Sequence, residues 1–422
     1  MLGRDARGTA TIGGSSVETI LASAGCGTPA YLYDIDGIRV AAQALEQSFG
    51  SAPHLIAYAA KANSAGPILE SLFSEGCGAD VVSGSELGLV LEAGLSPDKI
   101  VFSGVAKRDD EIDRALGAGP SGICAIQAES VEEIVRVAAR ARTVGRVGRI
   151  SIRINPGIQI DTHAHVATGH DEAKFGVARG DLGEAYAAVD AARELRLVGL
   201  SSHIGSTQTT TEPYIAAARV LFDIVKAREA ARGGLDFVDA GGGFGIDYGQ
   251  GCKVAPGDFV RALLAAQRAA GLSHRLIIEP GRSLVGPFGV LVAGVIQSKV
   301  SRATDRRWLM IDAGMNDLIR PALYQARHRI EPVHAIDGVP TARFRVVGPI
   351  CESSDDFGIH ELPTDPLPEH VVIRDTGAYG FTMASHYNGR CLPPEIFVSR
   401  GRIASLSQRG SEIAWIESRL RM

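Results

Sequence analysis

The sequence predicts a (β/α)8 TIM-like barrel followed by an all-β domain of β-sandwich or Greek-key barrel type, on three observations. Between about Leu55 and Glu279, short β-branched or apolar runs alternate with longer stretches of helical periodicity, eight strand–helix units in about 225 residues. After Pro287 the texture changes to short apolar segments separated by Gly, Pro and Asp, with little helical period. The 422 residues are 45% apolar and 22% charged, enough for two cores, or for one large barrel with an appendage. An open doubly wound sheet is the competing arrangement of the same units.

The elements follow in order. Pro29–Asp34 reads as a strand that returns to the β domain. Barrel strands are expected at Leu55–Ala60, Asp80–Ser83, Ile100–Ser103, Ile123–Ile126, Ile150–Asn155, Leu197–His203, Phe237–Ala240 and Leu276–Glu279. Between them, apolar residues recur at i, i+3, i+4 spacing, as in Ile68, Leu69, Leu72 and Phe73, or Val131, Ile134, Val135 and Ala138, or Tyr214, Ala217, Ala218 and Leu221. The longest nearly uncharged apolar stretch, Ser283–Ser298, is short for a membrane span and is broken by Gly286, Pro287, Gly289 and Gly294, so it reads as a buried strand and bend. Further strands are expected at Val290–Gln297, Trp308–Asp312, Ala342–Gly348, Val371–Asp375 and Glu395–Val398. The division is residues 37–288 for the barrel, and 1–36 with 289–422 for the β domain.

Charge narrows the function classes. Lys plus Arg is 43 against Asp plus Glu 48, a formal charge of −5 without long like-charge runs, so nucleic acid and anionic membranes are poor partners. The first 30 residues lack a continuous apolar run of the secretory kind, and a cytoplasmic location is expected. Six scattered cysteines (Cys26, Cys77, Cys124, Cys252, Cys351, Cys391) show no spacing for zinc or a redox pair, and most read as small buried hydrophobes or idle surface groups. The 50 glycines are clustered rather than periodic, which suggests backbone approaching a ligand.

In a (β/α)8 barrel the reacting groups sit at the carboxyl ends of the strands, and phosphate sites favour the loops after strands 7 and 8. Lys61 follows strand 1 in a chain with 7 lysines and 36 arginines. A lysine desolvated there loses proton affinity and can form a Schiff base; the alternative is a snorkelling lysine at a strand end. His203 follows strand 6 as an aromatic plate or a hydrogen-bonded packing residue. Gly241, Gly242 and Gly243 follow strand 7, either as an anion nest or as a tight barrel loop. Glu279 and Arg282 follow strand 8, as a cofactor-holding acid and base or as a structural ion pair. Together these four features are the parts needed to hold pyridoxal phosphate, with the carboxylate keeping the ring nitrogen protonated.

An ordered set of motifs then carries a resemblance over almost the whole chain. They are Gly27–Asp34, Tyr58-Ala59-Ala60-Lys61-Ala62-Asn63, Val82-Ser83-Gly84-Ser85-Glu86-Leu87, Lys174-Phe175-Gly176, Ser202-His203-Ile204-Gly205-Ser206, Gly241–Gly245, Glu279-Pro280-Gly281-Arg282, Arg320–Tyr324, Cys351-Glu352-Ser353, Thr376-Gly377-Ala378-Tyr379 and Pro394–Val398. The set resembles the fold-type III pyridoxal-phosphate decarboxylases, in the branch that converts meso-diaminopimelate to lysine. The resemblance implies a Schiff base on Lys61, His203 stacked on the cofactor ring and Glu279 at the pyridine nitrogen. It implies a phosphate cradle from Gly243, Ser206 and Glu279–Arg282, including Gly281, and a cofactor contact from Tyr379. Arg282, Arg320 and Tyr324 would hold the substrate's distal carboxylate, with Tyr379 alongside. Glu352 would face its amino group, and Cys351 would protonate the carbanion. It also implies a homodimer with shared active sites, Cys351 and Glu352 reaching into the partner's. A fixed cationic fork at Arg320 suits a second carboxylate, where a plain diamine precursor would want an acid.

Two departures stand out. The family pattern after His203-Ile204-Gly205-Ser206 usually continues with glutamine, but here Thr207 precedes Gln208, which bears on loop geometry and substrate shape. Residues 1–25 and 399–422 carry no readable motif. The alternatives to a diaminopimelate substrate are another carboxylate-bearing amino acid, such as carboxynorspermidine or a siderophore or carrier-bound intermediate, and a catalytically silent homologue. Ornithine or arginine decarboxylation fits Arg320 and Tyr324 less well, and an alanine racemase would not need Cys351 with Glu352. A Schiff-base aldolase on the same barrel would bind no pyridoxal phosphate.

Overall fold

The computed structural model describes residues 1–158 and 174–421. The chain folds as two units, Ala41–Ile246 with Lys253–Ser283, and Met1–Val40 with Asp247–Cys252 and Leu284–Met422.

The first unit is a closed parallel barrel. Its strands, numbered 1 to 8, are His54–Ala59, Gly78–Val81, Ile100–Phe102, Ala125–Ala128, Gly148–Arg153, Leu195–Ser201, Phe237–Gly242 and Arg275–Glu279. Each pairs with the next, and Leu276 opposite His54 and Ile278 opposite Ile56 join strand 8 to strand 1, which excludes the open sheet. Strands 5 and 6 begin two residues before their apolar runs, because backbone pairing between Gly148 and Leu195 does not depend on side-chain polarity.

Two layers fill the interior. Leu55, Ala57, Val101, Cys124, Ala125, Val198, Phe237 and Ile277 form an apolar cluster. Gly199 is required there, since a Cβ would sit 2.3 Å from the Phe237 ring. The other layer is polar and fully buried: Asp80, Gln127, Ser151, Ser201 and Asp239. Within it Gln127 donates to Asp239 and accepts from Ser201, and Asp80 accepts from Ser103, a network under the carboxyl ends of the strands.

Helices outside the barrel obey local rules. In Val131–Val144, Ser130 Oγ accepts the Glu133 N–H and Gly145 closes the end at φ 70°, while Ile134, Val137, Ala138 and Ala141 are buried. The motif Val82–Leu87 is of the same kind. Ser83 Oγ accepts the Glu86 N–H at 3.2 Å, and the Glu86 carboxylate accepts the Val82 N–H at 2.8 Å. That motif starts a helix, Gly84–Glu92.

The second unit is built on a nine-stranded sheet. Its longest strand, Gly289–Val300, pairs antiparallel with Ala30–Asp34, Arg307–Ile311 and His370–Ile373. Glu395–Ser399 joins parallel to Ala30–Asp34, so the early strand does return to this sheet. The stretch read as strand and bend instead opens with a helical turn, Arg282–Val285, before the strand begins at Gly289. The unit is not purely β. Its helices include Val17–Ala24, capped by Ser16 and Gly25, and Glu412–Leu420, capped by Ser411. They lie in the terminal stretches without motifs, where eight or nine residues give too few turns for periodicity to show.

Candidate active site

The sequence-predicted site residues fall into two groups, one in each unit. In the barrel unit, Lys61 stands on the 3-10 turn Ala60–Ala62 directly after strand 1. Its Nζ donates to Asp80 Oδ2 at 2.9 Å, and 37% of the side chain is exposed. The buried carboxylate beside it fixes the direction of the amine. Burial pushes the Asp80 carboxyl up, while Lys61 pulls it back; Ser103 also donates to it through a short hydrogen bond.

Glu279, at the end of strand 8, is buried and accepts from Gln127 Nε2 at 3.0 Å. Burial acts to raise its carboxyl, but His203, Lys61 and Arg153 outweigh this and hold it below the usual carboxylate range. It is an anion at neutral pH. Beside it, Asp239 accepts from the same Gln127 nitrogen at 2.7 Å, and burial with the Glu279 charge pushes its carboxyl far up. Both causes favour the protonated form of Asp239. Ser201 Oγ donates to Gln127 Oε1 at 2.9 Å, which fixes the amide's orientation.

His203 Nδ1 takes the Gly242 N–H at 3.1 Å and lies 3.6 Å from Glu279 Oε2. The histidine is thus held in one orientation by the glycine loop.

The three glycines are required by packing. A Cβ on Gly241 would meet Ser202 O at 2.5 Å, on Gly242 Glu279 O at 1.9 Å, and on Gly243 Gly205 O at 2.0 Å. The amides of Gly241 and Gly242 are already spent, on Asp239 Oδ1 and His203 Nδ1. The nest read from the sequence shrinks accordingly: the groups suited to an anion are the Gly243 amide, Ser206 Oγ and Arg282, whose Nη2 donates to Ser206 Oγ at 3.1 Å. Gly281 lies against Ala59 and Ala62, where a Cβ would come within 3.1 Å of both.

Thr207 takes φ 64°, left-handed and costly for a β-branched residue. The bend lets Gln208 pair with the glycine loop, its N–H donating to Gly243 O at 3.0 Å. The departure from the family pattern is absorbed in the backbone.

In the second unit, Arg320 opens the short helix Arg320–Tyr324 and is 4% exposed. Its Nη1 donates to His328 Nε2 at 2.7 Å, and its guanidinium lies 5.0 Å from the Tyr248 ring centre. His328 Nδ1 faces Arg374 O at 2.8 Å and must donate there, which leaves Nε2 as the acceptor for Arg320. Tyr324 and Tyr379 are half-buried, and Tyr379 sits at φ 56°. A bulky residue in that region marks stored strain of the kind found at binding sites. Cys351 and Glu352 are exposed neighbours: the Cys351 N–H donates to Asn388 Oδ1 at 3.0 Å, and Tyr387 donates to Glu352 through a short hydrogen bond.

Sequence reasoning missed Asp80 as a partner of Lys61, and missed Gln127, Asp239, His328, Tyr248, Tyr387 and Asn388. For the first three a signal existed: a lone polar residue inside an apolar barrel strand.

This donor set fits pyridoxal phosphate. It offers a primary amine, a buried carboxylate ionised for a protonated ring nitrogen, a fixed imidazole, and a cation with a hydroxyl for a phosphate. Residues 35–286 match the family model described as "Pyridoxal-dependent decarboxylase, pyridoxal binding domain", which gives the class. Diaminopimelate decarboxylase of Zymomonas mobilis is 38% identical over 392 residues, 91% of each chain. That of Helicobacter pylori is 38% identical over 387 residues, 90% of this chain and 93% of the relative. The crystal structure of the Helicobacter pylori enzyme complexed with L-lysine matches with a TM-score of 0.86 at 36% identity, over 94% of this chain and 97% of that one. The diaminopimelate decarboxylase from M. jannaschii in co-complex with L-lysine matches at 0.91 and 30%, over 99% and 97%. The chain belongs to the diaminopimelate decarboxylase family.

Proposed function

We propose that this chain decarboxylates meso-2,6-diaminopimelate to L-lysine and carbon dioxide, the last step of lysine biosynthesis, with pyridoxal phosphate as cofactor. The carrying observation is the likeness, over nine-tenths or more of the chain, to diaminopimelate decarboxylases, two of them solved in complex with L-lysine. The bound cofactor supplies an electron sink for the pair left behind by the departing carboxylate.

The chain's own residues do the rest. Lys61, directed by Asp80, would hold the cofactor through its amine. Glu279, with Gln127 and Asp239 behind it, would meet the ring nitrogen as an anion. His203 would stack on the ring, Arg282, Ser206 and the Gly243 amide would hold the phosphate, and Tyr379 would contact the cofactor. Arg320, aimed by His328, and Tyr324 hold the distal carboxylate, which selects a diacid over a plain diamine. Glu352 receives the distal amino group. Cys351 Sγ delivers a proton to the carbon that lost the carboxylate, and solvent restores the thiol. Cys351 and Glu352 serve the partner's site in a homodimer, and the protein works in the cytoplasm.

The test is lysine formation from meso-diaminopimelate by purified protein, with and without added pyridoxal phosphate. Lysine and carbon dioxide in equal amounts, dependent on cofactor, are expected. A protein that shows the cofactor's visible absorbance yet forms no lysine overturns the substrate, and other carboxylate-bearing amino acids then come first.

A further inference from the structure

The carboxyl-terminal stretch had no reading in the sequence, yet it leads by a short chain of contacts to the residues assigned to proton delivery. Ser407 N–H donates to Glu395 O at 2.9 Å, Gly410 N–H to Leu392 O at 3.0 Å, and Arg409 Nη2 to Pro29 O at 2.9 Å. The stretch is thereby tied to the sheet before the helix Glu412–Leu420 starts at its Ser411 cap. None of the helix residues is buried, and Ile413, Ile416 and Leu420 are exposed, so an apolar face is not what seats it. Its half-buried residue is Trp415, which lies against Gly389: a Cβ there would fall 3.0 Å from Trp415 Cη2.

Gly389 ends the turn Tyr387-Asn388-Gly389, in which Asn388 and Gly389 both take left-handed backbone, at φ 55° and 70°. Two consecutive left-handed residues make a turn with one shape. From it the Asn388 side chain accepts the Cys351 N–H, and the Tyr387 hydroxyl meets the Glu352 carboxylate. Backbone bonds within the segment, Glu352 N–H to Ile350 O at 2.8 Å and Asp355 N–H to Glu352 O at 3.1 Å, shape it from one side, and these two contacts tie it to the turn.

We propose that the turn Tyr387–Gly389, braced by Trp415 of the terminal helix, sets the position of Cys351 and Glu352, making Asn388, Tyr387 and Trp415 positioning residues for proton delivery and amine recognition. The proposal rests on the roles given to Cys351 and Glu352 above. A proton donor displaced by about 1 Å loses much of its effect, so the loss belongs in the chemical step for Asn388 and Trp415. Tyr387 acts through Glu352, so its loss belongs in substrate binding.

The experiment compares kcat and KM for Asn388→Gly, Asn388→Asp, Trp415→Ala, Trp415→Phe and Tyr387→Phe with Cys351→Ala, and follows alkylation of Cys351 by iodoacetamide. Asn388→Gly keeps the left-handed backbone but removes the acceptor, and kcat is expected to fall about tenfold with KM little changed, the scale of one lost hydrogen bond. Asn388→Asp restores the acceptor and most of kcat. Trp415→Ala behaves as Asn388→Gly, Trp415→Phe as the parent, and Tyr387→Phe raises KM more than it lowers kcat. Cys351 alkylates at a changed rate in the Gly and Ala variants, a readout that general destabilisation of the fold would not confine to this thiol. Unchanged kcat in Asn388→Gly and Trp415→Ala, with Cys351→Ala impaired, overturns the proposal. Full kcat in Cys351→Ala overturns instead the proton-donor reading on which it stands. Tyr387→Phe and Asn388→Asp preserve size and backbone, so a Trp415 variant that fails to fold still leaves a decision.

Discussion

At the scale of single residues, His328 illustrates how a neutral ring can direct a charged one. Its Nδ1 donates to the Arg374 carbonyl, so its Nε2 has only a lone pair to offer, and that lone pair holds Arg320 Nη1 at 2.7 Å. The face of the Arg320 guanidinium is covered by Tyr248, 5.0 Å away, and Tyr248 in turn meets the His328 ring edge-on at 5.2 Å. Arg320 therefore has a fixed plane, which a bidentate grip on a carboxylate needs. Replacing His328→Leu keeps bulk but removes the acceptor. The expected result is a KM for diaminopimelate raised about tenfold with kcat within about threefold, since a hydrogen bond to a charged group contributes about 1.5–3 kcal/mol. The cofactor absorbance should not change. Steady-state kinetics beside Arg320→Lys, which loses the fork itself, checks it; an unaltered KM in both variants removes Arg320 from substrate recognition.

At the scale of elements, the strand Glu395–Ser399 carries a buried acid at its start. Glu395 is 6% exposed, accepts the Tyr33 hydroxyl at 2.8 Å, and is pushed by burial to about 7 from an ordinary 4.5. A carboxyl raised on folding contributes its stability in full below about pH 4.5 and loses it as pH rises through about 7. Asp317, in the same unit and also raised by burial to about 7, acts in the same sense. Glu395→Gln keeps the acceptor for Tyr33 and removes the titration. It should melt about 2 °C or more above the parent at pH 8 and no higher at pH 5, in paired calorimetric scans. Equal shifts at both values would mean that the carboxyl does not titrate in this window. The same scale explains what could be read from the sequence. The eight barrel strands were legible because buried parallel strands are nearly continuous apolar runs, and Lys61, His203 and Glu279 because they close those runs. Asp80, Gln127 and Asp239 escaped notice because each stands inside a strand, where a polar residue is visible but its partners, on other strands, are not. The terminal helices escaped for the opposite reason: their caps, Ser16 with Gly25 and Ser411, are local and were present to be read, but eight or nine residues show too little periodicity.

At the scale of the whole molecule, the roles proposed for Cys351 and Glu352 require that these exposed side chains be covered. A group that protonates a carbanion works where bulk water is excluded, and in one chain these two side chains face solvent. A second copy of the chain provides that cover if each subunit lends Cys351 and Glu352 to its partner's barrel. The consequence is a specific arithmetic of complementation. Lys61→Ala and Cys351→Ala should each be inactive alone. When equal amounts are unfolded together, refolded and allowed to pair, half of the dimers are mixed. One site of each mixed dimer joins both substitutions and is dead, whereas the other joins an intact Lys61 to an intact Cys351. Activity should therefore return to about one quarter of the parent value, as random pairing of a two-fold dimer dictates. Refolded parent enzyme, carried through the same steps, sets the scale. If Lys61 and Cys351 of one chain served the same site, every site in every dimer would hold one defect. No activity would return at any mixing ratio, and Cys351 would then have to reach the barrel of its own chain.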